Sequence, residues 1–372
     1  MFEYETLKVI WWGIMCFIAI AFAITGGIDI GVNFLLPIVG KDDNQRRMIM
    51  NSIGPTWEGN QVWLITFGAG LFAIWPSAYA TAFSSLYYAL MLVVLVLILR
   101  PPGFDYRSKI AAKIWRDTWD FCLFGSSIIL AIIFGVAIGN LFIGIPFYFD
   151  ADLHSIYTGN FLTLLSPQAI IFGLVSMCMC TLQGALFLQC KLEDDLAQRA
   201  KRIVKFTGIG FIVTFIAGGV IATSMHGYKI LAIPDLNTGF SATQKIVEKV
   251  PAGWLNNYTN HHLLWLMPII VIIATRIAMR LSKYDKPVGA LIINSLGIVF
   301  TVLTAAAALF PFIVPSSLMP NHGLTIWDAC SSSLTLEWSL YATITTLPIV
   351  LIYTSWVYRV MRGKVQLQHE SY

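Results

Sequence analysis

Long runs of apolar residues recur along the chain, and they constrain its fold more than any other feature. A helix that crosses a lipid bilayer needs about 20 mostly apolar residues. Nine runs meet that requirement, at approximately 10–38, 53–74, 77–99, 119–144, 165–190, 203–226, 261–280, 287–313 and 334–360. The sequence therefore predicts an all-α integral membrane protein with nine transmembrane helices, forming a single domain over residues 1–372.

The composition agrees with this prediction. Charged residues make up 12% of the 372 residues and hydrophobic residues 57%, whereas a soluble domain carries about 25% charged residues. The first apolar run is too long for a cleaved signal peptide, so we interpret it as a retained span in contact with membrane lipid. No long basic stripe with interleaved aromatic residues is present, which argues against nucleic-acid binding.

The distribution of positive charge predicts the orientation. When the flanks of the nine runs are numbered alternately, 20 of the 24 lysines and arginines fall on one side. The other side receives Lys8, Lys229, Lys245 and Lys249. The positive-inside rule then places the N-terminus outside and the C-terminus in the cytoplasm. The longest outward connection is the outer loop 227–260, which we expect to be partly structured.

Two acidic residues lie in the apolar runs. Asp29 is in the first run, about 15 Å from its inner end, and Glu58 is one to two turns into the second. Both are therefore expected in the cytoplasmic half of the membrane. A charge inside a bilayer costs several kcal/mol, so an intramembrane acid is a functional-site hypothesis by default. The pair predicts a path for protons.

Further polar side chains extend this candidate site. Asn33 lies one turn from Asp29 on the same helical face, and the supporting groups near Glu58 are Trp57, Asn60 and Gln61. The alternative is that the acids only hold helices together through hydrogen bonds.

Other charged residues are expected to have structural roles. Arg116 and Asp120 are spaced for an interfacial ion pair at the inner end of the fourth run. Asp328 and Glu337 flank the outer end of the last run, where we expect them to be solvated or interfacial. The segment 100–107 reads as a cytoplasmic loop with paired charges, used for loop structure or partner contact.

The histidines lie away from the membrane centre. They fall in outer loops, at outer helix ends or in the C-terminal tail: His154, His226, His261, His262, His322 and His369. Because an embedded b-type haem usually takes axial histidine, the sequence predicts no haem and no metal ligated by this chain.

Several motifs together resemble one family, subunit II of the cytochrome bd-type quinol oxidases. They occur in family order over the whole chain and are specific as a set. They are the segment 25–32 (TGGIDIGV), the block 51–65, 72–76 (FAIWP), 100–109 (RPPGFDYRSK), 115–120 (WRDTWD), 134–141 (FGVAIGNL), 310–317 (FPFIVPSS) and 324–329 (LTIWDA).

The resemblance implies a heterodimeric enzyme of the bacterial inner membrane that oxidises quinol and reduces O₂ to water, generating proton motive force. It places two b-type haems, haem d and the quinol site in a partner, subunit I. Subunit II then contains no catalytic residue and is expected to be inactive alone. The family fold is two four-helix bundles plus one extra helix.

The resemblance also implies what this subunit contributes. It supports haem assembly and delivers protons from the cytoplasm through the positions matching Asp29 and Glu58. Some members hold a structural quinone in this subunit, and a small single-span accessory subunit is a further expected partner. Two positions depart from the family: Gly26 stands where relatives often carry an acid, and Glu58 where many have Asp.

Two other functions stay open at the level of sequence. A proton-coupled secondary transporter could use Asp29 and Glu58 for coupling, although such proteins often show internal repeats and none is clear here. A purely structural subunit would use the acids only to join helices.

Overall fold

A computed structural model describes residues 2–365 as a bundle of long helices with short hairpins at one end. The helices are α1 (Tyr4–Val39), α2 (Asp43–Ile53), α3 (Trp57–Ile74), α4 (Pro76–Ser85), α5 (Tyr87–Ile98), α6 (Arg100–Tyr106), α7 (Lys113–Ile143), α8 (Phe161–Leu164), α9 (Pro167–Lys191), α10 (Asp194–Ser224), α11 (Asn256–Asn260), α12 (Leu266–Lys283), α13 (Pro287–Leu309) and α14 (Ser333–Val360). The strands form three antiparallel pairs: β1 (Phe147–Phe149) with β2 (Ser155–Tyr157), β3 (His226–Ala232) with β4 (Ile246–Pro251), and β5 (Phe312–Val314) with β6 (Leu324–Thr325).

The described residues contain eight helical segments that are long and apolar enough to cross a membrane. They correspond to α1, α5 with its continuation to Lys109, α7, α9, α10, α12 with the turn before it, α13 and α14. α3, which covers the second predicted run, is not among them. A helical membrane protein with several spans is thus confirmed, and the small hairpins were not predicted.

Polar caps and prolines explain where several helices begin. The Asp42 side chain accepts a hydrogen bond from the Gln45 amide and starts α2. Ser166 caps α9 in the same way, and Pro167 follows as the first helical residue. Proline fits there because the first helical N–H has no partner within the helix. Pro76 likewise opens α4 directly after α3, so the chain turns at Trp75.

The two ends of the bundle differ. At the hairpin end, the Tyr4 hydroxyl donates to the Ser331 carbonyl at 2.7 Å, and Lys8 donates to the Leu236 carbonyl at 2.8 Å. At the opposite end, which we call the basic end, α2, α6 and the last turns of α9 and α14 meet. Arg199 at the start of α10 donates there to the carbonyl of Val39. The start of α1 and the loop 227–260 therefore lie on the same side.

α9 is the central helix and packs against α1, α7, α10 and α13. It crosses α1 where two glycines face each other: a Cβ on Gly31 would lie 2.0 Å from the Cys180 carbonyl oxygen, and one on Gly184 would lie 2.4 Å from the Gly31 carbonyl carbon. Small residues allow such close backbone approach between membrane helices. α14, by contrast, packs on α1 and α3 and leaves most of its surface exposed.

A buried ion pair fastens two loops at the hairpin end. The Lys245 amine lies 2.8 Å from the Asp328 carboxylate, and both side chains are 0% exposed. Burial lowers the pKa of Lys245, although the Asp328 charge acts in the opposite direction. The expectation that Asp328 is solvated or interfacial is therefore wrong, because the loop 227–260 folds over it.

A second network of charges joins helices at the basic end. Asp120 of α7 accepts from Arg107 at 2.5 Å and from Arg46 of α2 at 2.8 Å, while Arg116 pairs with Asp43 at 2.7 Å. The expected Arg116–Asp120 pair is wrong, because each of these residues finds its partner on another element.

Candidate proton-transfer site

Asp29 lies in the interior of the bundle. Its side chain is 1% exposed. Asp29 lies two residues before Gly31, where α1 crosses α9 at Gly184. The glycines on either side in α1, Gly27 and Gly31, let α9 approach the backbone closely. The sequence thus places a carboxyl group inside an apolar helix, and the neighbouring helices supply its partners.

Asn60 on α3 is the main partner of Asp29. Its Nδ2 lies 3.2 Å from Oδ1 and 3.0 Å from Oδ2 of the carboxyl group. The Oδ1 of Asn60 accepts a hydrogen bond of 2.9 Å from the Tyr358 hydroxyl on α14. Three side chains from three helices therefore form one hydrogen-bonded line, which runs from Tyr358 through Asn60 to Asp29.

Arg100 is the positive group beside this line. It is 3% exposed and interacts electrostatically with Asp29. Its Nη1 donates to Gln61 Oε1 at 3.0 Å, and its guanidinium carbon lies 5.8 Å from the centre of the Trp57 ring. Trp57 in turn stacks on Phe104 with ring centroids 4.9 Å apart. The indole and the amide of Gln61 thus hold the guanidinium in place.

Arg100 was not predicted as a site residue, because the segment 100–107 was expected to be a cytoplasmic loop. The residue instead begins α6 and points into the bundle. One signal could have identified it: Arg100 directly follows a long apolar run, and an ionisable residue at such a position usually faces a polar partner inside the protein. An intramembrane acid such as Asp29 requires a partner of this kind.

Two buried side chains near the line from Tyr358 to Asp29 have polar atoms without a hydrogen-bond partner among the described residues. Neither amide atom of Asn33, one turn along α1 from Asp29, has a partner among the described residues, and the same holds for Nε and Nη2 of Arg100. Buried polar atoms in folded proteins are nearly always satisfied by protein or by ordered water. These side chains therefore favour a site that can take up water.

Glu58 does not join Asp29. Its side chain is exposed on the outer face of α3, which also presents the apolar side chains of Val62, Ile65 and Phe72. Residues two apart on a helix point about 200° away from each other. Because Asn60 faces α1, Glu58 must face outward, and the expectation of two buried acids is wrong for Glu58. Of the predicted supporting groups, Trp57 and Gln61 lie around Arg100.

The described residues contain no cluster of three or more His, Cys, Asp or Glu side chains that could hold a metal. His154, His226, His261 and His262 are exposed. The Nδ1 of His322 accepts a hydrogen bond from the Phe149 amide at 2.8 Å. His369 lies outside the described residues. These described side chains offer no axial pair for an embedded haem.

Known proteins give a consistent comparison. A family model described as cytochrome bd terminal oxidase subunit II matches residues 7–361. The chain is 40% identical over 366 residues to the cytochrome bd-I ubiquinol oxidase subunit 2 of Escherichia coli strain K12, covering 98% of this chain and 97% of that protein. It is 39% identical over 365 residues to a probable cytochrome oxidase subunit 2 of Haemophilus influenzae, with the same coverage.

Among solved structures, the bd oxidase from Geobacillus thermodenitrificans has a similar fold. The TM-score is 0.68 at 14% sequence identity, over 95% of this chain and 98% of the matched chain. At that identity the similarity concerns the fold alone.

Proposed function

Because the chain belongs to the cytochrome bd terminal oxidase subunit II family, we propose that it conducts protons from the cytoplasm toward an oxygen-reducing partner, subunit I. It is a multi-pass subunit of an oxidoreductase complex in the bacterial inner membrane, and in this family the haems belong to subunit I. The observation that carries the proposal is the buried Asp29 carboxyl group with its line of partners to Tyr358.

The surroundings of Asp29 suit a group that takes up and releases protons. A relay needs both its protonated and its ionised form within reach. The Arg100 charge and the Asn60 amide are partners for the ionised carboxylate, and the apolar helices around them accommodate the neutral acid. Asp29 can thus receive a proton from one side and pass it to the other.

We propose that Glu58 acts at the surface that subunit I covers. A carboxylate facing lipid costs several kcal/mol, and Glu58 lies on an otherwise apolar exposed face of α3. A polar or charged partner on that face removes the cost. Glu58 would then hand protons to subunit I, while Asp29 serves within this chain.

We propose nine spans, with α3 as the additional one beside the eight segments described above, arranged as two four-helix bundles plus one helix. The basic end faces the cytoplasm, in agreement with the distribution of lysine and arginine. The start of α1 and the loop 227–260 then face outward. A structural quinone and a small accessory subunit, expected from the family, remain predictions.

A structural role for Asp29 is the second candidate. One observation favours it: the Asp29–Asn60 hydrogen bonds join α1 to α3. In that case the carboxyl group can be replaced by an amide with no effect on proton delivery, because an amide also accepts hydrogen bonds.

The decisive experiment uses the purified two-subunit complex. We expect Asp29→Asn and Glu58→Gln each to lower O₂ reduction and proton uptake by about tenfold or more, while haem content is unchanged. Glu248→Gln, which alters an exposed acid on β4, serves as the control. Normal turnover and proton uptake in both variants would contradict the proposal, and Asp29 would then only join α1 to α3.

A further inference from the structure

A cavity of about 260 Å³ opens at the basic end, between residues of α2, α9 and the end of α14. Its polar lining includes Asn51, Ser52, Thr56 and Tyr358. A buried water molecule needs a polar site of at least about 10–15 Å³ with two or more partners. The cavity therefore has room and hydrogen-bonding groups for several water molecules.

The C-terminal segment Met361–Val365 forms one wall of this cavity. Lys191 at the end of α9 donates to the Met361 carbonyl, and Lys364 donates to the Leu192 carbonyl at 2.5 Å. The Val365 amide donates to the Lys191 carbonyl at 2.9 Å. These three hydrogen bonds hold the segment Met361–Val365 against the end of α9, where it closes one side of the cavity.

Tyr358 connects the cavity to the buried site. Its side chain lines the cavity, and its hydroxyl donates to Asn60, whose amide donates to Asp29. Thr56 also lines the cavity, and its hydroxyl donates to the Ile53 carbonyl at 3.2 Å. Tyr358 therefore belongs both to the lining of the cavity and to the line of hydrogen bonds that ends at Asp29.

We infer that the Tyr358 hydroxyl passes protons from the cavity to Asp29, and that Asn60 orients it. This inference rests on the proposed function of Asp29. A hydronium ion in the cavity gives a proton to the Tyr358 oxygen. The original hydroxyl proton then moves to a water molecule that lies between Tyr358 and Asp29. That water protonates the Asp29 carboxylate. The tyrosine is neutral again at the end, the hydronium has become water, and Asp29 is a carboxylic acid.

The unpartnered amide of Asn33 can bind the water molecule that lies between Tyr358 and Asp29. Both its polar atoms are buried without a partner among the described residues, and it lies one turn from Asp29. An amide group such as that of Asn60 cannot pass a proton on readily, so the hydroxyl must leave Asn60 for each transfer. Asn60 is therefore a positioning residue, and Tyr358 carries the proton.

The test is Tyr358→Phe in the purified complex, which keeps the ring and removes the hydroxyl. We expect proton uptake during O₂ reduction to slow by about tenfold or more, with an altered solvent isotope effect and full haem content. Tyr353→Phe is the matched control, since Tyr353 lies on the same helix with an exposed side chain. Unchanged proton uptake in Tyr358→Phe overturns the inference.

Asp29→Asn measured in parallel separates this inference from the proposed function. If Asp29→Asn slows uptake and Tyr358→Phe does not, protons reach Asp29 by another route and the inference fails alone. If neither variant slows uptake, the proposed function fails. If both do, the double variant should be no slower than the slower single variant, because the two groups act in series.

A second experiment keeps the inference testable if Tyr358→Phe does not assemble. Asn51 lines the cavity and is partly exposed, so Asn51→Cys can be modified by a water-soluble thiol reagent applied from the basic end. We expect modification to reduce turnover by about tenfold. The six native cysteines are free, so treated wild-type complex is the control. Full turnover after complete modification overturns the inference.

Discussion

Arg100 shows how a single side chain can serve an acid that lies on another helix. It interacts with Asp29 electrostatically, while its Nη1 donates to Gln61 and its guanidinium carbon lies 5.8 Å from the centre of the Trp57 ring. A guanidinium is suited to such a position because it stays charged when buried and packs on aromatic rings. Its charge can therefore stabilise the ionised carboxylate of Asp29. Because the two groups form no direct ion pair, Asp29 can still take up a proton.

A substitution of Arg100 tests this role. We expect Arg100→Gln in the purified complex to lower turnover by about tenfold, because the ionised form of Asp29 loses its cation. Arg100→Lys keeps the charge but not the planar contacts, and we expect an intermediate rate. O₂ consumption per haem is the measurement, and Arg276→Gln, an exposed arginine on α12, is the control. Equal rates for all three variants would contradict the role.

At this scale the sequence identified the buried acid but not its full environment. Asp29 could be found because a carboxyl group in an apolar run is conspicuous. Glu58 and Asn60 are both polar and two residues apart, so composition alone does not say which one faces inward. That choice depends on the rotation of α3 against α1, which tertiary packing determines. Tyr358 was hidden for a similar reason, since tyrosines are common at the ends of membrane helices.

At the scale of elements, the crossing of α1 and α9 determines where Asp29 lies. Gly31 and Gly184 bring the two backbones into contact, and Asp29 is half a turn away. No side chain fills the space between the helices at this point. Any atom added there must therefore push the helices apart and move the carboxyl group relative to Asn60.

Gly184→Ala tests this arrangement. The added Cβ would lie 2.4 Å from the backbone of Gly31, so we expect a loss of about 1–3 kcal/mol in stability from overpacking. Thermal unfolding of the purified complex is the measurement. Gly125→Ala on α7 is the matched control, because no atom lies within 4 Å of its added Cβ. There we expect no loss, since alanine favours a helix over glycine. Equal melting temperatures for the two variants would show that α9 can shift freely.

Helix positions followed from apolar length, because a membrane span must satisfy its own backbone hydrogen bonds and a helix does so. The break at Leu86 between α4 and α5 did not follow, since residues 77–99 contain no proline, glycine or charged residue that would mark the end of a helix. The hairpins were also missed. β1 and β5 have only three residues each, too few for the alternating pattern that predicts a strand.

For the whole molecule, the exposed side chains form two different surfaces. The face formed by α3 combines apolar residues with Glu58, whereas α13 presents apolar residues such as Val288 and Ile292. Lipid suits the second surface. The first is better explained by a protein partner, because a buried interface can supply groups for the carboxylate.

Bulky substitutions distinguish these surfaces. We expect Ile65→Trp on α3 to reduce co-purification of subunit I, because a larger side chain in a packed interface prevents close contact. Ile292→Trp on α13 should leave the complex intact, since lipid adapts to the added volume. Both positions are well exposed in this chain, at 65% and 63%. The assignment of the interface is wrong if Ile65→Trp retains subunit I as well as wild type does.

The line from Asp29 to Tyr358 joins the first long helix to the last. During biosynthesis, α1 can dock on α9 while the rest of the chain is still on the ribosome. The line, however, stays incomplete until residue 358 has been translated and α14 has inserted beside α3. Under the proposed function, a chain that ends before residue 358 lacks the hydroxyl that delivers protons to Asp29, so insertion of the last helix is the step that completes the proton route.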